Sequence, residues 1–178
     1  MKPRTPLVTH RLRLEPVAGR HAEGLYQAAR ASRAELLPWM PWAKDITLEG
    51  NQHYATDAER SWQASEEFHF AILDDGVVVG VMGLNRNPDS SAELHYWIQS
   101  DRSGRGYTTE AGERILRWGV EELGVESFTL WAGVENRASR RVAEKLGFRD
   151  TGPLADLMDG GLGSFRAQGY ARSATATT

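Results

Sequence analysis

The sequence contains no cysteine. This absence excludes disulfide bonds, thiolate metal sites and a cysteine nucleophile. It fits a reducing compartment, so a cytoplasmic location is expected. Long apolar runs are also absent, because the longest, residues 77–84, is interrupted by two glycines and is far shorter than the roughly 20 residues of a membrane-spanning helix. No apolar segment follows the N-terminal charges, so the sequence predicts neither a secretion signal nor a membrane anchor.

An excess of basic residues is lacking as well. The 178 residues include 21 Lys and Arg against 24 Asp and Glu, which gives a net charge of −3. Proteins that bind nucleic acid normally have a basic excess, so nucleic acid is not expected as a partner. The five histidines show no metal-ligand spacing, and no metal cofactor is expected. The length fits one domain over 1–178, ordered over about 9–171, with a flexible tail at 172–178.

The hydrophobic pattern predicts a chain that mixes helices and strands. The predicted strands are 12–17, 69–73, 77–84, 92–99, 127–133, 148–152 and 165–170, and the predicted helices are 19–33, 48–67, 108–123 and 136–146. Strands grouped in the middle of the chain and alternating with helices later indicate an α/β (α+β) domain. Its mixed sheet is expected to be covered by helices.

Residues 35–43 combine bulky apolar side chains with Pro38 and Pro41. Two prolines this close forbid a long regular helix, so the segment is expected to be irregular. Two interpretations are open. The segment is either a plug in the core or at an interface, or it contributes Trp39 and Trp42 to the wall of a substrate pocket. A glycine-rich run at 160–163 is expected to be a loop that could border the substrate entrance.

A glycine-rich turn separates the predicted strand at 92–99 from the predicted helix at 108–123. Its residues are Arg102, Ser103, Gly104, Arg105, Gly106 and Tyr107. The start of a helix presents unpaired N–H groups and the positive end of the helix dipole, and glycine lets an anion approach the backbone. The turn is therefore either a site for a phosphate or pyrophosphate or a solvated connection.

The predicted helix at 136–146 places a hydroxyl group on its apolar side. By their spacing, Ser139, Val142, Ala143 and Leu146 share one face. A serine there either bonds back to its own helix or takes part in chemistry. Asn136 stands where a helix N-cap is expected.

Two motifs resemble the GCN5-related N-acetyltransferases (GNAT). The run Ser103-Gly-Arg-Gly-Tyr-Thr-Thr-Glu-Ala is similar to the loop that binds the acetyl-CoA pyrophosphate in that family, although Ser103 and Thr108 depart from its usual pattern. Residues 135–148 are similar to the Glu-Asn-x-x-Ser-x-x-Val-x-Glu-Lys-Leu-Gly-Phe run of the RimJ/RimL-like ribosomal-protein N-terminal acetyltransferases. The resemblance implies a single GNAT domain with a central mixed, mostly antiparallel sheet flanked by helices.

The resemblance also implies a set of cofactor contacts. Acetyl-CoA is the expected co-substrate, with its phosphates at the glycine-rich turn and its pantetheine arm along the strand at 92–99. Ser139 would bond the cofactor sulfur and protonate the departing thiolate, which makes it a catalytic candidate. The implied cofactor-binding residues are Trp97, Ile98, Gln99, Arg102, Ser103, Gly104, Arg105, Gly106, Tyr107, Thr108, Asn136 and Ser139.

The strand at 92–99 supplies the other catalytic candidates. Period-two alternation puts Glu93, His95 and Trp97 on one face, opposite Leu94 and Tyr96. In the resembling family this strand passes between cofactor and acceptor, so Glu93 is expected to hold the amine and accept its proton. Partial burial beside Trp97 would raise the Glu93 pKa towards neutrality. His95, whose ordinary pKa lies near neutrality, is the competing base. The expected substrate contacts are Trp39, Trp42, Glu93 and His95.

The sequence therefore predicts an acetyl-CoA-dependent N-acetyltransferase in which a primary amine attacks the thioester directly. The expected acceptor is the α-amine of a protein or peptide N-terminus. A small amine, such as an amino acid, a polyamine or an antibiotic, is the first alternative. A noncatalytic acetyl-CoA-binding regulatory module is the second. A homodimer is left open.

Overall fold

The computed structural model describes residues 2–175 of the chain. The α-helices found in this range are α1 (Ala22–Ala31), α2 (Arg33–Leu36), α3 (Leu48–Ala64), α4 (Tyr107–Leu123) and α5 (Arg137–Lys145). The strands are β1 (Leu7–Val8), β2 (Leu12–Pro16), β3 (Glu67–Asp74), β4 (Val77–Arg86), β5 (Ser91–Ile98), β6 (Ser127–Gly133), β7 (Arg149–Pro153), β8 (Met158–Gly160), β9 (Gly163–Phe165) and β10 (Ala167–Ser173).

Most of the strands form one sheet in the order β1-β2-β3-β4-β5-β6-β10-β7, and β8 pairs with β9 as a separate hairpin. Neighbouring strands of the large sheet run antiparallel, except that β5 and β6 run parallel. A parallel pair needs a long crossover, and α4 is the helix that supplies it. The predicted mixed, mostly antiparallel sheet flanked by helices is confirmed.

The parallel strands β5 and β6 separate soon after they begin. They pair only from Ser91 opposite Ser127 to Glu93 opposite Thr129. Within the described part of the chain, β5 has no strand partner on that side beyond Glu93, whereas β6 stays paired with β10 as far as Gly133. The sheet therefore opens into a wedge-shaped gap, and the candidate site is built around it.

Apolar packing on both faces holds the two sides of this gap in place. On one face, Leu94 of β5 packs in the main core with Ile115 of α4. On the other face, Val81 of β4 packs with Leu25 of α1 and Ala58 of α3. Because side chains alternate along a strand, β5 contributes to both layers, as its period-two pattern predicts.

The C-terminal end of the chain differs from the predicted tail at 172–178. Strand β10 continues to Ser173, which pairs with Ser127, and the Ala174 N–H donates to the Glu126 carbonyl at 2.8 Å. Arg172 Nη1 donates to the Leu146 carbonyl at 2.6 Å. The prediction of a flexible tail is therefore wrong for 172–174, and residues 176–178 of it lie outside the described residues.

Several element bounds also differ from the predicted ones. Strand β1 and the β8–β9 hairpin were not predicted, because strands of two or three residues are too short to show alternation. The predicted helix at 48–67 ends earlier, since Ser65 adopts a left-handed φ of 60°. The predicted helix at 19–33 begins with a 3-10 turn over Gly19–His21.

Candidate active site

A small cavity of about 60 Å³ lies in the gap between β5 and β6. Glu93, His95 and Tyr96 of β5 line it, together with Trp131 of β6 and Ser139 of α5. Tyr96 and Ser139 also line one larger cavity, and His95 and Trp131 also line another. The gap therefore joins two larger cavities. The Glu93 carboxylate and the hydroxyl groups of Tyr96 and Ser139 lie where the two cavities meet.

The larger cavity of about 590 Å³ extends along the free edge of β5 to the start of α4. Gly104 and Gly106 line it with φ angles of 76° and 82°, which residues other than glycine rarely adopt. Gly106 is the N-cap of α4 and offers no side-chain cap, so the first N–H groups of the helix are left for a ligand. This geometry favours an anion at the turn.

Two side chains of the turn, Arg102 and Tyr107, have the same partner within the protein. Arg102 Nη1 donates to Asp74 Oδ2 at 2.9 Å, and the Tyr107 hydroxyl donates to the same oxygen at 3.0 Å. Since Asp74 ends β3, these bonds fasten the turn to the sheet. Arg105 is exposed and is not among the residues that line the cavity. Arg102 is therefore placed to hold the shape of the turn as well as to face a ligand.

The N-terminal segment braces the start of α4 from the opposite side. Glu110 Oε1 accepts hydrogen bonds from the Thr9 hydroxyl at 2.5 Å and from the Arg11 backbone N–H at 2.8 Å. The Arg11 guanidinium donates to Glu110 Oε2 at 2.7 Å and to the Arg105 carbonyl at 2.9 Å. It also lies over the Tyr107 ring, 4.7 Å from its centroid. The turn is thus preorganised by contacts on both sides.

Helix α5 faces the same cavity with two basic side chains. Arg141 and Lys145 stand one helical turn apart, and both line the cavity. They suit a ligand with several phosphate charges. Sequence reasoning missed both, although their spacing on the helix that carries Ser139 was a usable signal. Asn136 caps this helix, since its Oδ1 accepts from the Ser139 backbone N–H at 3.1 Å, as the N-cap interpretation expects.

The other larger cavity, of about 410 Å³, lies between the start of α3 and strands β3 to β6. Its lining is largely apolar and aromatic. The lining residues are Met40, Trp42, Asp45, Ile46, Thr47, Gly50, Asn51, Tyr54, His69, Val81, His95, Tyr96, Trp97 and Trp131. A volume of this size is suited to a small molecule or to one end of a larger one.

Two histidines meet in the wall of this second cavity. His69 of β3 and His95 of β5 both pair with Gly83 of β4, and their ring centroids are 4.6 Å apart. A Cβ atom at Gly83 would lie 2.7 Å from the His95 ring, so glycine leaves the space that the imidazole fills. Burial, together with the neighbouring His69, lowers the pKa of His95 to about 3. His95 is therefore uncharged and a weak base near neutral pH. The expectation that His95 competes as the base rested on a pKa near neutrality, which the buried imidazole does not have.

Glu93 lies in the gap in a different environment. Burial raises its pKa above the ordinary value, and the Trp131 indole, which donates from Nε1 to Oε1 at 3.2 Å, opposes this rise. The predicted direction of the pKa shift is confirmed. The aromatic partner is Trp131 rather than the expected Trp97, because β6 faces Glu93 across the gap.

Ser139 forms a hydrogen bond with Tyr96, a residue that the sequence does not single out for the site. The Tyr96 hydroxyl lies 2.7 Å from Ser139 Oγ, and it also donates to the Ser139 carbonyl at 3.3 Å. Burial raises the pKa of Tyr96 to about 12. Both hydroxyl groups are therefore protonated near neutral pH. They form a short hydroxyl chain beside the gap.

Comparison with known proteins decides what this arrangement belongs to. Residues 11–149 match the family model described as an acetyltransferase (GNAT) domain. The chain belongs to the GNAT acetyltransferase family. The predicted family, its fold and the acetyl-CoA-dependent acetyltransferase activity are thereby confirmed.

The relatives of this GNAT domain include ribosomal-protein acetyltransferases. The chain is 25% identical over 150 residues to the ribosomal-protein-serine acetyltransferase of Escherichia coli (strain K12), covering 79% of this chain and 80% of the relative. It superposes with a TM-score of 0.88 on RimL, a ribosomal L7/L12 alpha-N-protein acetyltransferase in complex with coenzyme A, at 20% identity, covering 94% of this chain and 96% of that one.

A further solved structure shares the same GNAT fold. It is the microcin C7 self-immunity acetyltransferase MccE in complex with acetyl-CoA and AMP. The TM-score is 0.86 at 21% identity, with 97% of each chain covered. The fold is thus common to relatives whose names refer to a protein acceptor and to one that does not.

Most of the expected cofactor contacts lie in one place in this GNAT domain. Gln99 and Arg105 do not line the cavity of about 590 Å³, and the Gln99 backbone N–H is bonded to the Val79 carbonyl at 2.7 Å. The expected cofactor residues that do line the cavity are Trp97, Ile98, Arg102, Ser103, Gly104, Gly106, Tyr107, Thr108, Asn136 and Ser139. Their roles as contacts stay predictions.

The aromatic segment near residues 35–43 is divided between the two cavities of the GNAT domain. Trp42 lines the cavity of about 410 Å³, whereas Trp39 lines the other cavity and the gap. Trp39 rests on Gly133, where an added Cβ would lie 2.3 Å from its ring. The Gly161 N–H donates to the Leu37 carbonyl at 2.8 Å, so the β8–β9 hairpin docks on this segment. Both tryptophans therefore border the cavities, and their contact with a substrate stays a prediction.

Residues 2–175 include no helix with the length and apolar character needed to cross a membrane. Over the same range, no three His, Asp or Glu side chains gather in a way that could hold a metal ion. The cytoplasmic location and the oligomeric state stay predictions.

Proposed function

We propose that this enzyme transfers the acetyl group of acetyl-CoA to a primary amine, in the first place the α-amine of a protein or peptide N-terminus. The observation that carries the proposal is the gap between β5 and β6. It joins a cavity suited to a phosphate-bearing cofactor to a second cavity of acceptor size, and it holds Glu93 and Ser139. The names of the ribosomal-protein relatives support a protein acceptor.

The residues of the cavity of about 590 Å³ fit acetyl-CoA. Gly104, Gly106 and the start of α4 would hold its pyrophosphate, and Arg141 and Lys145 add positive charge. Beyond Glu93, the unpaired edge of β5 offers backbone groups to the amides of the pantetheine arm. Bound in this way, acetyl-CoA supplies a thioester that an amine can attack without a covalent acyl-enzyme.

The proton transfers fall to residues in the gap. Glu93 holds the incoming amine and accepts a proton from it as the nitrogen bonds to the acetyl carbon. Ser139 donates its hydroxyl proton to the sulfur as the carbon–sulfur bond breaks. Tyr96, 2.7 Å from Ser139 Oγ, orients that hydroxyl and can return a proton to it. The proton that Glu93 accepted then passes through water to the deprotonated hydroxyl pair, which restores both groups for the next turnover. Free thiol and a neutral amide are the products.

A small-molecule amine is the second candidate acceptor. The cavity of about 410 Å³ has room for such a molecule, and the similar self-immunity acetyltransferase MccE is in complex with AMP as well as acetyl-CoA. A noncatalytic module is less well supported, because Glu93, Tyr96 and Ser139 converge on one gap rather than being dispersed.

An acceptor panel tests the proposal. Thiol release from acetyl-CoA is measured with peptides bearing a free N-terminus, with the same peptides blocked at the N-terminus, and with amino acids and polyamines. Release with the free peptides but not with the blocked ones is the expected result. Release only with small amines would replace the proposed acceptor class. No release with any amine, despite acetyl-CoA binding, would favour the noncatalytic module.

Ser139→Ala is expected to lower kcat by up to roughly 10²-fold, the low end for a positioned proton donor. The affinity for acetyl-CoA should change little, because the contact matters most as charge develops on sulfur. Tyr96→Phe removes only the neighbouring hydroxyl and should cause a smaller loss of kcat. Steady-state kinetics together with a thermal shift on acetyl-CoA addition measure both effects. An unchanged kcat with a lowered melting temperature would assign Ser139 a structural role instead.

A further inference from the structure

The cavity of about 410 Å³ has walls made mainly of large apolar side chains. Three of them are the tryptophans Trp42, Trp97 and Trp131. The centroids of Trp42 and Trp97 are 5.7 Å apart, and Trp42 remains 43% exposed. The aliphatic part of the wall consists of Met40, Ile46 and Val81. An apolar group that entered this space would displace water from a large apolar surface, which is favourable.

Several polar groups around the cavity are bonded to one another, whereas His95 Nε2, buried in its wall, has no hydrogen-bond partner among the described residues. The Tyr54 hydroxyl and His69 Nδ1 are 2.7 Å apart, and His69 Nε2 lies 3.2 Å from the Glu67 carboxylate. Thr47 Oγ1 accepts from the Gly50 N–H at 3.0 Å, and its carbonyl accepts from the Asn51 side chain at 2.9 Å. A polar substituent placed here would lose its hydration, which is costly, and apart from His95 Nε2 it would face mainly apolar and aromatic side chains.

The charges near the cavity have a single sign. Among the residues that line it, Asp45 is acidic and none is Lys or Arg. Glu93 adds a second carboxylate in the adjoining gap. This distribution attracts an amine and disfavours an acceptor whose neighbouring group is itself acidic.

The cavity opens onto the gap through Met40, His95, Tyr96 and Trp131, which line both. An amine held beside Glu93 therefore places the substituent next to it in the larger cavity. We infer that the acceptor carries a large apolar group, aromatic or branched aliphatic, directly beside its amine, and that this group fills the cavity. The inference rests on the proposed function. The inferred apolar group differs from serine, the small polar residue in the name of the Escherichia coli ribosomal-protein-serine acetyltransferase.

Two peptides that differ only in the first residue, Phe or Ser, test this inference. Thiol release from saturating acetyl-CoA gives kcat/KM for each. We expect kcat/KM to be at least about tenfold higher for the Phe peptide. Burying an aromatic side chain stabilises the bound acceptor by enough free energy for a change of this size or more. 2-Phenylethylamine is measured beside them, because it carries the same group without a peptide and shows whether the source is a small amine. Equal values for the two peptides, or a higher value for Ser, would overturn the inference.

A substitution that fills the cavity provides the second test. Gly50 lines the cavity in the first turn of α3, where an added Cβ meets only Thr47 Oγ1, at 3.0 Å. Gly50→Phe should reduce the Phe-to-Ser ratio of kcat/KM at least about fivefold, by the same burial argument. Glu49→Phe, at the adjacent exposed position outside the lining, is the matched control and should leave the ratio unchanged.

These experiments distinguish a failure of this inference from a failure of the proposed function. An unchanged ratio in Gly50→Phe, with the melting temperature of that variant close to that of Glu49→Phe, overturns the inference and leaves the proposed function standing. If no amine releases thiol although acetyl-CoA still stabilises the protein, the proposed function fails and the inference fails with it.

Discussion

Acetyl-CoA is expected to raise the melting temperature of the wild-type protein but not that of Gly106→Glu. At a hundredfold excess over its Kd, a ligand that binds only the folded state stabilises it by about 2.7 kcal/mol. The substitution puts bulk and negative charge at the N-cap of α4, where the structure leaves N–H groups for an anion. Differential scanning fluorimetry with and without acetyl-CoA measures the difference.

The control for Gly106→Glu is a glycine at the other end of the same helix. Gly124 follows α4 with a φ of 67°, close to the 82° of Gly106, so Gly124→Glu introduces similar backbone strain. Neither position is crowded, since an added Cβ meets nothing within 4 Å at Gly124 and only the Arg11 guanidinium at Gly106. Gly124→Glu should therefore unfold at a lower temperature and still respond to acetyl-CoA. A full response in Gly106→Glu would remove the turn from the cofactor site.

The second large effect is a loss of catalytic efficiency when Glu93 is replaced. Glu93→Gln should lower kcat/KM by roughly 10²- to 10⁴-fold, the range for a positioned general base, while the shift on acetyl-CoA binding is retained. This substitution changes little besides the basic group, because a glutamine oxygen can still accept the hydrogen bond from Trp131 Nε1 that Glu93 accepts at 3.2 Å. The loss is therefore a loss of basicity rather than of packing.

The pH profile identifies the base. A carboxylate accepts a proton only when ionised, so wild-type kcat/KM should fall as the pH drops through the pKa of Glu93. Burial raises that pKa above its ordinary value, which moves this acidic limb to higher pH. Glu93→Gln should abolish the limb and His95→Ala should preserve it. The reverse pattern would transfer the role to His95, and a limb in both variants would mean that water alone takes the proton.

The sequence was most informative where one element carries its own pattern. Strand β6 has the predicted bounds of 127–133, because its flanking residues break the β pattern on both sides. The face that Ser139 shares with Ala143 and Leu146 also follows from helical spacing within one helix. The glycines of the turn likewise predict the start of α4 from local sequence alone.

What the sequence could not predict depends on how strands are placed beside one another. The contact between His69 and His95 requires the register of three strands around Gly83. Alternation places Tyr96 only on the face of β5 opposite Glu93, and its hydrogen bond with Ser139 forms where the sheet opens beyond Glu93. Trp131 as the partner of Glu93 likewise requires knowing that β6 diverges after Thr129.

The short pairing between β5 and β6 has a consequence for how activity depends on assembly. Strands β1 to β5 form one continuous block of the sheet, and β6, β10 and β7 form another, and the strand pairing between the blocks is limited to three residue pairs. Glu93 and Tyr96 belong to the first block, whereas Trp131 and Ser139 belong to the second. Neither block alone holds all four of these side chains. If the proposed function is correct, catalytic turnover requires the two blocks to pack together, and a ligand that contacts both would stabilise that packing.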